Sequence, residues 1–195
     1  MHFAMMNVHT VVSLKYEIKM LMRRCMLSAR RAAGCRALSS SVGDGLFVVE
    51  GDLTQLPVGT IPAVGVEAQV THAFSIEDTR AFARLSGDNN PLHVDADFAL
   101  KHAAESKPVV QGLLSASLFA TIFGRTVPGA VYVKQNLRWR APLLVDEKVI
   151  AHIRVVKVRK RFVECETVCM KASNSVVVVD GQATLLIPSN QTTCT

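Results

Sequence analysis

No uninterrupted apolar run in the 195 residues approaches the about 18 that a membrane-spanning helix requires, so no membrane span is expected. An HExxH sequence is also missing, as is a glycine-rich phosphate loop following a strand, which leaves zinc-protease and nucleotide-binding readings without support. Cysteine is scarce where it could matter. Of the five, Cys25 and Cys35 fall near the beginning and Cys194 near the end, leaving only Cys165 and Cys169 between them. Zinc needs more ligands at closer spacing. Four residues apart in a strand, these two point to the same face, so they are read as reduced core thiols, and neither a metal nor a cofactor is expected. Internal repeats and low-complexity stretches are absent from the body of the chain.

Acidic residues are nearly absent from the first 45 positions, where Lys15, Lys19, Arg23, Arg24, Arg30, Arg31 and Arg36 face only Glu17 and Asp44. Arginine-rich, acid-poor and ending in Leu38-Ser39-Ser40-Ser41, this stretch has the composition of an organellar transit peptide. The fit is better from Met22 onward than before it, with a working start at Met20 or Met22 and removal near residues 37–42. The alternative is a basic tail with no targeting role. The remaining residues hold fifteen basic against fourteen acidic side chains. A sequence pI of 9.3 therefore reports the leader, and nucleic acid is not an implied partner. With 49% hydrophobic residues the chain has material for one core plus a leader, not for two domains. The expected organisation is a mitochondrial leader over 1–42, a linker with a short first strand over 43–63, one folded domain over 64–188 and a tail over 189–195.

Within that domain, Val64–Phe74 alternates as a strand. Ser75 followed by Asp78 resembles a capping box, and Ile76, Thr79, Phe82 and Ala83 recur at helical spacing up to a stop at Gly87. A second short helix can start at Asp95 or Asp97. Gly112–Phe123 is apolar nearly all round, which predicts a helix buried on every side. After Pro128-Gly129 the period changes to two. Val131, Val133, Gln135, Leu137 and Trp139 are assigned to one face and Tyr132, Lys134, Asn136, Arg138 and Arg140 to the other. Lys148–Lys157, Arg161–Lys171 and Ser175–Ile187 supply three more strands. One buried helix followed by four strands predicts an α+β fold, an antiparallel sheet wrapped around the helix.

The densest turn signal is Ser86–His93. Gly87 and Pro91 force a tight reversal, and Asn90, preceding proline, is pushed toward extended backbone. Such a bend can aim Asp88 and His93 into one space, where a carboxylate and an imidazole could move protons. An Asp that merely caps a turn would leave the same trace. His72, His102 and His152 have no partner at chemical spacing and are read as surface or satisfied histidines.

The run Ser86-Gly87-Asp88-x-Asn90-Pro91-Leu92-His93 with Ala99 beyond it resembles the motif of the MaoC-like, R-specific enoyl thioester hydratases, the type 2 3-hydroxyacyl thioester dehydratases. The likeness continues through Pro108–Leu118 and Pro128-Gly129 into Leu137–Pro142, and spans roughly residues 64–188. It implies a hot-dog fold, a homodimer, and removal of water from (3R)-3-hydroxyacyl thioesters, or its reversal. The carrier would be an acyl carrier protein or coenzyme A. It implies Asp88 and His93 as the catalytic pair and the Gly112 N–H as the donor to the thioester oxygen, with Asn90 helping to hold the pair. Gln111, Leu114, Leu118 and Phe119 would line the substrate site. Two positions depart from the pattern: Gln111 stands where His is usual before the glycine, and Ala120 where a hydroxyl residue is common. The leader adds a mitochondrial matrix location and a place in fatty acid synthesis. A non-catalytic acyl-binding hot dog and a hot-dog thioesterase are the alternatives. The basic run Lys157–Arg161 is read as a solvated strand end; docking an acidic carrier together with Arg138 and Arg140 is the sharper reading.

Overall fold

The computed structural model describes residues 47–103 and 105–189. The expected leader, Cys25, Cys35, Cys194 and all but the first residue of the expected tail lie outside them. Strand β1 (Val49–Gly51) and strand β2 (Glu67–Ala73) come first. Helix α1 (Ile76–Ser86), a 3-10 turn (Pro91–His93) and helix α2 (Ala96–Ala103) follow. Helix α3 (Gly112–Thr126) then leads into β3 (Val131–Trp139), β4 (Lys148–Arg159), β5 (Phe162–Lys171) and β6 (Val177–Leu186). The strands form one sheet in the order β1-β2-β4-β5-β6-β3, and every pair is antiparallel.

Local chemistry sets the boundaries of α1. The Ser75 hydroxyl accepts from the Asp78 N–H at 3.2 Å, and the Asp78 carboxylate accepts from the Ser75 N–H at 2.7 Å. Two of the amides that a helix start leaves unpaired are thereby satisfied. At the other end Gly87 takes φ 79°, the left-handed backbone that glycine adopts without a Cβ penalty, and its N–H closes on the Ala83 carbonyl.

Helix α3 lays Ser115, Leu118, Phe119, Ile122, Phe123 and Thr126 against the sheet. The inner face beneath it is built from alternate strand residues, among them Val149, Ala151, Ile153, Cys165, Cys169, Val179 and Ala183, all fully buried. Each large side chain in this seam contributes about 1.5–3 kcal/mol by leaving water. Cys165 and Cys169 share the inner face as free thiols, and burial pushes both up to about 12. This sheet around a helix is the hot-dog arrangement that the sequence implied.

Two expectations are corrected. Helix α3 buries one face only within this chain: Leu113 is 62% exposed, and Ser117, Ala120 and Gly124 are also exposed. The sheet lies on one side of the helix, and the small side chains opposite it cost little in water. The simple alternation of β3 also breaks. A register shift between Tyr132 and Lys134 places Tyr132 opposite Leu185 and Gln135 opposite Ala183, both buried inner-face residues. An extra residue inserted into a strand flips the phase before it, so Tyr132 joins the face of Gln135, Leu137 and Trp139. Its hydroxyl donates to Gln135 Oε1 at 2.7 Å, and its ring meets Phe123 edge-on.

The three histidines that the sequence reading set aside are occupied. His72 sits between the rings of Phe47 and Phe74, and burial lowers its pKa against the opposing pull of Asp78. His102 stacks on Phe98, and His152 lies 3.3 Å from Glu67.

Candidate active site

From Gly87 the chain turns back on itself in steps that its own polar groups fix. Ser86 Oγ accepts from the Asp88 N–H, and Asp88 Oδ1 accepts from the Asn90 N–H at 3.4 Å. Asn90 has φ −56° and ψ 124°, as a residue before proline should, and its side chain caps the 3-10 turn by accepting from the Leu92 N–H at 3.1 Å. Asn90 thus shapes the bend that carries Asp88 at one end and His93 at the other.

The strand-like segment before α3 holds the other side. The Val109 N–H donates to the Leu92 carbonyl, and the Val110 N–H donates to the Leu143 carbonyl. The carbonyl of Val109 lies 2.7 Å from His93 Nδ1. A carbonyl only accepts, so Nδ1 carries the proton and the neutral ring presents a lone pair at Nε2. That Nε2 is 3.7 Å from Asp88 Oδ2, with side-chain exposures of 13% and 49% for the imidazole and the carboxylate. The bend therefore brings Asp88 and His93 together at the surface end of a recess, the imidazole inside and the carboxylate nearer water.

The recess is a cavity of about 410 Å³ whose walls include His93, Val109, Gly112, Ser115, Trp139 and Arg140. Helix α3 opens onto it without a side-chain cap at Gln111. The first amides of a helix have no partner inside it and carry the positive end of its dipole, and Gly112, whose N–H has no acceptor among the described residues, lines the same space as His93. Ser115 is turned inward and donates to the Gly112 carbonyl at 2.7 Å. Arg140 is held by Asp180, Nε to Oδ2 at 3.0 Å.

The other site residues read from sequence are placed differently. Gln111 is 2% exposed; its Nε2 donates to the Thr79 carbonyl at 2.9 Å and ties the start of α3 to α1, while its Oε1 is buried without a partner among the described residues. Leu118 and Phe119 lie in the core against the sheet, and Leu114 is half-buried at its margin; none of the three is among the residues that wall the cavity. Arg138 and Arg140 lie where β3 meets the Val179 end of β6, whereas the turn at Arg159–Phe162 lies at the Leu186 end. Within one chain the two basic groups are thus at opposite ends of the sheet. Neither Trp139 nor Ser115 carries a signal in the sequence that marks it as a site residue. Trp139 falls inside the stretch Leu137–Pro142 that carries the resemblance, but no spacing rule brings a sheet-edge residue onto a helix start much earlier in the chain.

Known proteins resemble the chain in sequence and in fold. The chain is 37% identical to a mitochondrial 3-hydroxyacyl-[acyl-carrier-protein] dehydratase of Arabidopsis thaliana over 134 residues, 67% of this chain and 80% of that protein. It is 34% identical to an (R)-specific enoyl-CoA hydratase of Rhodospirillum rubrum over 129 residues, 64% of this chain and 88% of that one. Among solved structures, the (R)-hydratase from A. caviae involved in PHA biosynthesis superposes with a TM-score of 0.62 at 32% identity, covering 65% of this chain and 98% of that one. The model of the MaoC like domain matches residues 57–179, a span that runs from before β2 into β6 and includes the whole bend and cavity, and the chain belongs to that family.

Proposed function

We propose that this chain is a hydro-lyase that dehydrates (3R)-3-hydroxyacyl thioesters to trans-2-enoyl thioesters and catalyses the reverse hydration, with Asp88 and His93 as its acid–base pair and the Gly112 N–H as its oxyanion donor. The observation that carries this reading is the fixed tautomer of His93. Its Nδ1–H is spent on Val109, so Nε2 is left beside Asp88 and next to a free helix-start amide. Dehydration requires that the C2–H bond break, that its electrons pass through an enolate on the thioester oxygen into the C2–C3 double bond, and that hydroxide leave C3 with a proton. The pair needs one proton between its two members. The member without it takes the C2 proton, the other protonates the departing hydroxyl, and proton exchange through solvent at the exposed carboxylate resets the pair, whose members stand 3.7 Å apart. Negative charge on the thioester oxygen is met by the Gly112 N–H, a donor that needs no reorganisation. The apolar walls restrict water around the reacting carbons.

The carrier is an acyl carrier protein or coenzyme A, and the name of the Arabidopsis thaliana relative supports a role in mitochondrial fatty acid synthesis. The direct test is hydration of crotonyl-CoA by the purified protein, followed as loss of the enoyl thioester's ultraviolet absorbance with the product's chirality determined. Free thiol released as that absorbance falls would make the chain a thioesterase, because hydrolysis also breaks the enoyl thioester conjugation; binding with neither change would make it a non-catalytic acyl-binding protein.

The arginine-rich composition of residues 1–42, with the mitochondrial names of relatives, supports a targeting leader ahead of a linker over 43–63, a domain over 64–188 and a tail over 189–195. Residues 1–42 fused to a fluorescent protein should place it inside mitochondria; a diffuse cytosolic signal would remove the assignment.

The reading also includes a homodimer. Strand β3 is an edge nine residues long, with Val131 and Val133 exposed. An unblocked apolar edge of this kind invites pairing with a second strand, and the exposed Leu113 side of α3 offers further apolar surface. Sedimentation should give the mass of two chains, and Val133→Lys should shift it toward one; a wild-type monomer at micromolar concentration would refute the dimer.

A further inference from the structure

Trp139 is the single tryptophan of the chain, and its indole lies on the helix start. A Cβ built on Gly112 would stand 2.5 Å from Trp139 Nε1, 2.8 Å from Cε2 and 3.1 Å from Cδ1. The N–H end of the five-membered ring is therefore in contact with the glycine whose own N–H opens α3. Both residues wall the same cavity as His93. Among the described residues the indole N–H has no acceptor, and the residue is 48% exposed. Its backbone is well fixed. Trp139 pairs with Val179 across the β3–β6 ladder, and the next residue, Arg140, donates its N–H to the Val178 carbonyl at 2.8 Å and pairs with Asp180.

We propose that Trp139 is a further catalytic residue for this reaction: its indole Nε1–H donates to the thioester oxygen beside the Gly112 N–H, so that two donors from different elements share the enolate charge. The inference rests on the hydro-lyase reading above. The chemistry favours it on two grounds. An oxygen gaining negative charge has lone pairs for two donors, and a single amide leaves one of them unmet. A tryptophan N–H close to the reacting end of a cavity also usually finds a partner when a ligand excludes water from it. The alternative role for the ring is that of an apolar wall against the acyl chain, which needs the ring but not its N–H.

Trp139→Phe separates the two roles, because it keeps an aromatic ring of similar seat and removes the donor. With crotonyl-CoA the expected result is a fall in kcat of about tenfold or more with KM changed little, since the donor acts on charge that exists only in the transition state. An unchanged kcat, or a change confined to KM, would overturn the proposal and leave the apolar wall. A second readout avoids dependence on the variant's folding. Butyryl-CoA lacks the double bond and cannot be hydrated, and its titration into the wild type should alter the emission of the lone tryptophan. Saturable binding of butyryl-CoA by calorimetry with emission unchanged would also overturn it. Failure of the wider reading has a different signature. If the wild type hydrates no enoyl thioester, the hydro-lyase assignment falls and takes this proposal with it, whereas an active wild type with an equally active Trp139→Phe removes only the tryptophan.

Discussion

His93→Ala should lower kcat for crotonyl-CoA hydration by about a hundred- to ten-thousandfold, the range over which a positioned acid–base group accelerates such steps. Asp88→Asn should do comparable damage for a different reason. Asparagine keeps the oxygen that accepts from the Asn90 N–H, so the bend survives, but an amide can neither take nor hold the proton that a carboxylate does. Neither change should unfold the protein. Asp88 is half-exposed, and the loss of the imidazole leaves the Val109 N–H bonded to Leu92 and the Val110 N–H bonded to Leu143, so the walls of the recess retain their anchors. Thermal melting should move by only a few degrees while activity collapses. The double variant is the sharper measurement. If the two groups pass one proton between them, removing the second after the first costs little more, and the losses will not multiply. Independent groups would give the product of the two single effects. Activity that survives both substitutions would end the assignment of this pair.

Much of the frame that holds the pair is local, and local signals are legible in sequence. The capping box at Ser75 and Asp78, the left-handed stop at Gly87 and the pre-proline geometry of Asn90 each follow from one residue and its immediate neighbours, so composition alone announces them. The same holds for the period-two runs that became β4, β5 and β6. What escaped depends on partners distant in the chain. The β3 bulge inserts one residue where the amino acids on either side would alternate equally well, and only the pairing with β6 selects the phase. The burial of α3 on one face alone depends on which side the sheet lies, and its apolar composition all round does not encode that. In the site, the Asp88-to-His93 spacing was visible because both lie on one bend. The bond from His93 to the Val109 carbonyl was not, since nothing in either residue marks the other. Backbone carbonyls carry no sequence signature, yet this one fixes the tautomer on which the proposed chemistry depends.

Gly112 illustrates the same divide and carries the second large expectation. Judged by helix propensity alone, Gly112→Ala should help, because glycine in a helix is worse than alanine by about 0.5–1 kcal/mol. Judged by the tertiary contact, it cannot be accommodated as built, with the new methyl 2.5 Å from Trp139 Nε1. The two effects act on different observables. Trp139 is half-exposed and can swing outward, so the strain need not unfold the sheet, and the net change in stability should stay within about 1–3 kcal/mol. Activity has no such escape. Either the indole leaves the recess or the start of α3 shifts, and in both cases the amide that we propose meets the thioester oxygen no longer sits in the same surroundings. A fall of about a hundredfold in kcat is expected, on the scale of one lost oxyanion donor, although alanine retains the N–H itself. The comparison that identifies the cause is a cycle with Trp139→Ala. In that background the space beside residue 112 is open, so adding Gly112→Ala should leave the already lowered activity nearly unchanged. A hundredfold penalty in both backgrounds would instead locate the requirement for glycine in the backbone of the helix start, and full activity of the single variant would show that the contact with Trp139 does not matter to the reaction.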